Sequence, residues 1–124
     1  MPKLTLTLAA AVLALSCGDG SEADRRGVGA ECANNDDCTE EGQSCLAFKG
    51  GYCGVMGCTN NAGCPGGSLC VTHDDGVNYC FLVCDTKTDC NRNRSAANES
   101  NCSSNIVFAE QGTSGKACVP PSGN

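Results

Sequence analysis

Thirteen cysteines are the residues of this 124-residue chain whose type and spacing could do chemistry. A cysteine can close a disulfide, bind a metal ion as a thiolate, or act as a nucleophile. Because thirteen is odd, at least one sulfur must have a use other than pairing within the chain. Cys17 stands apart, directly after an apolar segment. The other twelve are the candidates for disulfides: Cys32, Cys38, Cys45, Cys53, Cys58, Cys64, Cys70, Cys80, Cys84, Cys90, Cys102 and Cys118.

These twelve cysteines follow an internal repeat. The segments CANNDDC, CTNNAGC and CDTKTDC begin at Cys32, Cys58 and Cys84, and each has five residues between its two cysteines. The first two copies continue to a third cysteine and close with a Tyr-Cys pair, at Tyr52 and Tyr79. The third copy keeps its four cysteines but separates them with two long segments. The repeat predicts three four-cysteine modules, at about residues 30–55, 56–82 and 83–120.

The pairing within each module is open to three connectivities, among which spacing alone does not choose. We prefer first-to-third and second-to-fourth, because these bridges tie the turn inside each CxxxxxC segment to the hairpin that follows it. First-to-second pairing would leave the turn and the hairpin unconnected. The preferred pairs are Cys32–Cys45, Cys38–Cys53, Cys58–Cys70, Cys64–Cys80, Cys84–Cys102 and Cys90–Cys118.

Metal binding is the main alternative use of so many cysteines. Structural zinc sites bring their ligands in C-x(2–4)-C pairs and need reduced thiolates. Only Cys53/Cys58 and Cys80/Cys84 have such spacing, and both pairs cross a module boundary. There is also no C-x-x-C motif, so the usual dithiol of thiol oxidoreductases is missing. We therefore expect disulfides, no metal site and no cofactor.

Two polar stretches are the remaining candidates for a chemical site. His73, the one histidine, precedes Asp74 and Asp75, and a His–Asp pair could orient a general base. No nucleophile is marked, and a polar hairpin tip is the simpler interpretation. The stretch NNDDCTEEG could offer oxygens to Ca²⁺, but an Asx-turn with solvated acids explains it more simply. We expect no enzymatic activity and no catalytic residues.

The N-terminus predicts export. Lys3 precedes an apolar run, LTLTLAAAVLAL, that is too short to cross a bilayer and suits a signal peptide over residues 1–16. The stretch LALSC resembles the lipobox of bacterial lipoproteins, and this resemblance implies acylation of Cys17. A lipid anchor would place the chain at a bacterial outer membrane or cell surface, with residues 17–29 as a flexible tether. The alternative is a secreted protein whose Cys17 pairs with a partner chain.

The composition predicts a small disulfide-rich fold. Large apolar residues are few, tryptophan is absent and 16 residues are glycine, which would normally favour disorder. A disulfide closing a loop of about 15 residues contributes roughly 3 kcal/mol in the chain-entropy model, so cross-links can replace a large core. The net charge of −6 argues against nucleic acid. The basic pairs Arg25/Arg26 and Arg92/Arg94 are interpreted as solvated charge.

Each module should be a turn followed by a short β-hairpin, with little or no helix outside the signal peptide. Hairpins are expected around Gly50-Gly51 and Asp75-Gly76. In the third copy, residues 106–108 should pair with residues 116–119. We expect at most one helical turn, near residues 95–100. The two long segments of this copy suit functional loops, but mobile loops are the favoured interpretation.

The cysteine spacing, with glycine before the third cysteine and Tyr-Cys at the close, resembles the N-terminal domain of Dickkopf proteins, the EB module and tandem cysteine-rich repeats of exported bacterial lipoproteins. It also resembles the whey acidic protein domain, although the adjacent cysteines of that domain are absent. The resemblance implies a non-enzymatic module that binds a protein or a glycan through rigid loops. The alternatives are a secreted protease inhibitor and a calcium-dependent binding module.

Overall fold

The computed structural model describes residues 27–122, which form short antiparallel hairpins joined by single helical turns. This confirms the prediction of a small disulfide-rich fold with little helix. The helical turns are the 3₁₀ turns Asn35–Asp37, Asn61–Gly63 and Ala96–Asn98, and the α-helical turn α1 at Lys87–Cys90. The strands are β1 (Ser44–Leu46), β2 (Tyr52–Gly54), β3 (Ser68–Thr72), β4 (Asn78–Leu82), β5 (Asn101–Ser103), β6 (Val107–Phe108) and β7 (Ala117–Val119).

The three modules, which we number 1 to 3 in chain order, share one plan. In each, a helical turn lies between the first and second cysteines, and a hairpin carries the third and fourth. The third and fourth cysteines are direct cross-strand partners in every hairpin. The partners are Cys45 and Cys53, Cys70 and Cys80, and Cys102 and Cys118.

The helical turns begin at polar N-caps, each two residues after the first cysteine of its module: Asn34, Asn60 and Thr86. In module 1, the Asn34 side chain accepts a hydrogen bond from the Asp36 N–H, and Asp37 accepts from the N-cap backbone. Asp89 does the same for Thr86 in module 3. The sequence analysis expected tight Asx-capped loops here, and at most one helical turn, near residues 95–100. The Ala96–Asn98 turn lies in that region, but each CxxxxxC segment adds one of its own.

The strand pairing in module 3 differs from the prediction. Residues 106–108 were expected to pair with residues 116–119, and this was wrong. β7 pairs with β5 instead, whereas β6 leaves its own module and joins β3 of module 2, which gives a sheet in the order β4-β3-β6. The reason is that both edges of β7 are already used: β5 pairs Cys102 with Cys118 on one edge, and Val83 forms a bridge with Ala117 on the other.

The core lies between modules 1 and 2 and is built on aromatic rings. Phe48 packs edge-on against Tyr79 with ring centroids 5.1 Å apart, and Tyr52 packs against Phe81 at 5.3 Å. Val28 is buried with them, so the folded body begins earlier than the predicted tether allows. Gly29 also donates a hydrogen bond to the Cys53 carbonyl. Both residues were assigned to the tether, and that boundary was wrong.

The predicted turn at Gly50-Gly51 meets the first disulfide of module 1. Gly51 has φ 73°, and a Cβ on it would lie 2.1 Å from the Cys32 carbonyl oxygen and 2.8 Å from the Cys45 sulfur. Both the positive φ and the close approach require glycine. The turn therefore packs its backbone directly on the bridge.

Candidate functional site

All twelve cysteines of the described residues are in disulfides, in the first-to-third and second-to-fourth order that the sequence analysis preferred. The first bridge of each module has a Cα–Cα distance of 5.8 to 5.9 Å, and the second of 5.4 to 5.5 Å. The predicted signal peptide, Arg25/Arg26 and Cys17 lie outside the described residues. The pairs are Cys32–Cys45, Cys38–Cys53, Cys58–Cys70, Cys64–Cys80, Cys84–Cys102 and Cys90–Cys118.

Within residues 27–122, the clusters with metal-ligand side chains are three trios of cysteines, one in each module. Every member of each trio is disulfide-bonded. A bonded sulfur cannot serve as a thiolate ligand. These trios are therefore the centres of the crossed bridges, and as oxidised cysteines they offer no thiolate to zinc.

The first long segment of module 3, residues 91–101, contacts module 1 through a buried arginine. The Arg94 side chain donates to the carbonyls of Gly29 at 3.0 Å, Gly51 at 2.7 Å and Lys49 at 2.9 Å. Arg94 is only 9% exposed, and burial lowers its pKa. The prediction that Arg92 and Arg94 are both solvated charge was wrong for Arg94. It holds for Arg92, whose side chain is 51% exposed in its ion pair with Asp89.

A carboxylate at the same junction binds the other side of this segment. Glu31 of module 1 accepts hydrogen bonds from the hydroxyl and the backbone N–H of Ser95. These bonds hold the pKa of Glu31 below its usual value. A carboxyl whose pKa is lowered by folding adds stability above its ordinary pKa, and that stability is lost as the pH falls through the folded value. The prediction of a mobile loop was wrong here, because the segment has specific partners in module 1.

The second long segment of module 3, residues 103–117, contacts module 2. Its strand β6 pairs with β3, and Ala109 donates to the Cys70 carbonyl. Glu110 accepts from the Asn61 N–H at 2.9 Å, and Thr113 accepts from the Asn61 amide. Module 2 has Gly63 where modules 1 and 3 have a capping aspartate, so Glu110 supplies a carboxylate to this turn from outside. The prediction of a mobile loop was wrong for this segment also.

The two repeated tyrosines have different roles. Tyr52 is 0% exposed; its hydroxyl accepts from the Leu82 N–H at 3.0 Å and faces the Cys118 carbonyl at 3.5 Å, so it touches all three modules. Desolvation raises its pKa. Tyr79 donates its hydroxyl to Asp75 near the surface, and burial together with that carboxylate raises the pKa of Tyr79 to about 12.

His73, the candidate general base, packs on the aromatic core. Its ring lies edge-on to Phe48 at 5.4 Å and to Phe81 at 5.8 Å, so it is half-buried and not simply a polar tip. Within the described residues, no hydrogen bond or ion pair joins it to Asp74 or Asp75. The Asp75 carboxylate instead accepts from the Val77 N–H, which lowers the pKa of Asp75, and from Tyr79. The His–Asp pair that could have oriented a general base is therefore not formed among the described residues.

The acidic stretch proposed for calcium uses its side chains within module 1. Asp37 accepts from the N–H groups of Ala33 and Asn34, and Asn35 accepts from the Cys45 N–H. Asn34 accepts from Asp36. These oxygens cap a helical turn and fasten it to β1, which supports the Asx-turn interpretation of this stretch.

A groove between modules 2 and 3 is a candidate for a binding site; we call it the His73 groove. It has a volume of about 380 Å³ and lies between the end of β3 and the β5–β7 hairpin. Sequence analysis missed most of it, because the groove forms only when β6 joins β3, and no local pattern announces that pairing. Its lining residues are Val71, Thr72, His73, Asp74, Asn101, Ser103, Asn105, Ile106, Val107 and Val119.

Neither a protein-family model, nor a curated protein, nor a solved structure matches the chain. None of the helices in residues 27–122 has the length and apolar character that a bilayer crossing needs.

Proposed function

We propose that this chain is an exported, lipid-anchored, non-enzymatic module that binds a protein or a glycan at a bacterial outer membrane or cell surface. The observation that carries the proposal is the complete pairing of the twelve cysteines in the described residues. Bridges of this number are typical of domains that fold in oxidising compartments and lack a large core. They fix the grooves and loops between modules, and a fixed surface binds with little ordering cost.

Cysteine parity supports the anchor. Twelve of the thirteen cysteines are consumed in pairs, so Cys17 is the one left over. A free thiol in an oxidising compartment is open to oxidation and mixed disulfides. Acylation would use that sulfur, and two or more acyl chains anchor a protein stably.

The side chains best suited to catalysis support a non-enzymatic role. His73 packs on aromatic rings, Asp75 accepts from its own hairpin, and the acids of module 1 cap a turn. A general base needs a reacting group within hydrogen-bond reach, together with a group that orients it. In the described residues, these side chains are instead used within the fold.

Intact mass spectrometry of the chain purified from the membrane fraction of its bacterial host tests this proposal. We expect the mass of a chain that begins at Cys17 and carries acyl groups, lowered by two hydrogen atoms for each of six closed bridges. The Cys17→Ser variant is the control; it should leave the membrane fraction and keep all six bridges. An unmodified Cys17 thiol, or Cys17 bonded to a partner chain, would contradict the anchor.

The protease-inhibitor alternative requires an exposed loop that can enter a protease cleft. The long segments of module 3 bond to modules 1 and 2 through Arg94 and β6. The hairpin tip at residues 74–76 stays exposed. Inhibition of a protease panel by the oxidised chain would restore this alternative. A melting temperature that falls with EDTA would restore the calcium-dependent one.

A further inference from the structure

The His73 groove has two walls that disulfides fix. One wall is the end of β3, which carries Cys70; the other is the β5–β7 hairpin, which carries Cys102 and Cys118. Asn101 pairs across the hairpin with Val119, so both project from the same face. The volume of about 380 Å³ is at the lower end of the ~300–1,000 Å³ found for ligand sites. The groove is therefore preformed and sized for a small ligand or the end of a polymer.

Several polar side chains of this groove are not used by the fold. Within residues 27–122, the side chains of Asp74, Asn101 and Asn105 form no hydrogen bond. This is unusual here, because most asparagines of the described part bond to the chain itself. The asparagines bonded in this way are Asn34, Asn35, Asn60, Asn61, Asn78, Asn91 and Asn98.

The charge of the groove excludes anionic ligands. Among the residues that the structure describes, no lysine or arginine lines it, and Asp74 is its one carboxylate. Phosphate and carboxylate groups require cations for tight recognition. An adjoining depression of about 510 Å³ shares Asn101, Ser103 and Asn105. Its lysines are engaged, since Lys87 pairs with Glu99 at 3.1 Å and Lys116 donates to the Asp85 carbonyl.

On its β3 wall, the groove lacks the backbone edge that an extended peptide would use. β3 is hydrogen-bonded on both sides, to β4 and to β6, so it cannot accept another strand. At the start of β5, the Asn91 side chain already bonds the N–H and carbonyl of Ser100. At the β3 wall and at the start of β5, recognition must come from side chains. Those of the groove are carboxamides, hydroxyls, one carboxylate and an imidazole beside aliphatic groups.

We infer that the His73 groove binds a neutral oligosaccharide, through Asn101 and Asn105 on one wall and Asp74 on the other. Carboxamides both donate and accept hydrogen bonds, and so suit hydroxyl groups that also do both. The aliphatic side chains of Ile106, Val107 and Val119, which are exposed or partly exposed, offer a surface for the C–H face of a sugar ring. This inference rests on the proposed binding function and names its site and its ligand class.

Titration of the ¹⁵N-labelled, oxidised full chain carrying Cys17→Ser tests the inference. The probes are maltotriose, cellotriose and N,N′-diacetylchitobiose, with trigalacturonic acid as the anionic comparison. We expect at least one neutral probe, at millimolar concentration, to shift the amide signals of residues 71–74 and 101–107, and the acid to shift none. Asn101→Ala with Asn105→Ala should weaken that binding about tenfold or more, since two hydrogen bonds are lost.

Asn93→Ala is the matched control, because Asn93 is exposed and lies outside the groove. Within the described part of the chain, the Asn93 side chain forms no hydrogen bond. The Asn93→Ala variant should bind the probe as tightly as the parent chain does. Asp74→Asn, on the opposite wall, is the second variant and should also weaken binding. The inference is overturned if no neutral probe shifts the groove, or if the groove variants bind as well as the parent. If no neutral probe shifts the groove but the acylated chain captures a protein at another face, the inference about the groove is overturned and the proposed function is kept.

Discussion

Modules 1 and 2 differ from module 3 in what surrounds the same disulfide frame. Modules 1 and 2 carry the aromatic rings of the core, with Tyr52 and Tyr79 before their last cysteines. Module 3 has Ala117 at that position and contributes no aromatic ring to the core apart from the partly buried Phe108 packed against it. It instead has two long segments, one on module 1 through Arg94 and one on module 2 through β6.

This difference separates two sources of stability. The crossed bridges hold each module to its own hairpin, and no bridge joins one module to another within residues 27–122. Cohesion between modules therefore depends on the aromatic core with Tyr52 at its centre, on Arg94, and on the pairing of β6 of module 3 with β3 of module 2. Substitutions at these points should loosen the body, and those in matched positions elsewhere should not.

The largest effect should come from removing the second bridge of module 3. Cys90 and Cys118 are 28 residues apart, and Cys58 and Cys70 are 12 apart. The chain-entropy model then gives about 3.6 kcal/mol for Cys90–Cys118 and about 2.8 kcal/mol for Cys58–Cys70. We expect Cys90→Ala with Cys118→Ala to lower the free energy of unfolding more than Cys58→Ala with Cys70→Ala, measured in guanidinium chloride. Equal losses would mean that the long segments of module 3 are already ordered when the chain is unfolded.

Loss of the buried arginine should rank next. Arg94→Met removes the donors to the Gly29, Lys49 and Gly51 carbonyls, and we expect it to cost about 3 kcal/mol in denaturant unfolding. Arg92→Met is the matched control and should change stability by less than about 0.5 kcal/mol, because its ion pair is exposed. If both substitutions cost the same, Arg94 does not join modules 1 and 3.

The two tyrosine hydroxyls should differ by a smaller amount. Tyr52→Phe leaves the buried Leu82 N–H without its partner, and we expect a cost of about 2 kcal/mol. Tyr79→Phe should cost about 0.5 kcal/mol, because its hydroxyl bonds Asp75 near the surface. Thermal unfolding followed by circular dichroism measures both. A Tyr79→Phe cost as large as that of Tyr52→Phe would contradict the central position of Tyr52.

The smallest effect concerns the turn of module 2. Glu110→Ala removes the carboxylate that module 3 supplies to the Asn61 N–H, at an expected cost of about 0.5–1 kcal/mol. Gly63→Asp places a capping aspartate where modules 1 and 3 have one, and a Cβ there meets only Asn60 at 3.7 Å. In the Gly63→Asp background, Glu110→Ala should cost less. A double-mutant cycle with equal costs in both backgrounds would show that the two carboxylates do not serve the same turn.

The modules and their hairpins could be predicted from the sequence because they repeat, whereas the contacts between modules do not repeat and could not be predicted. The cysteine period locates the modules, and turn residues such as Gly50-Gly51 locate the hairpins. The burial of Arg94 could not be predicted. Its partners in module 1 are backbone carbonyls 43 to 65 residues away, and a carbonyl is present at every residue, so the sequence does not mark them. The pairing of β6 with β3 could not be predicted either, because a strand of two residues is too short to show an alternating pattern. The His73 groove depends on that pairing and is missed with it.

The most direct test of the account is a disulfide map of the oxidised chain, made by proteolysis without reduction and mass spectrometry. We predict six cross-links, first-to-third and second-to-fourth within each module, with no free thiol from Cys32 to Cys118. A bridge between modules, or free thiols among these twelve, would contradict it.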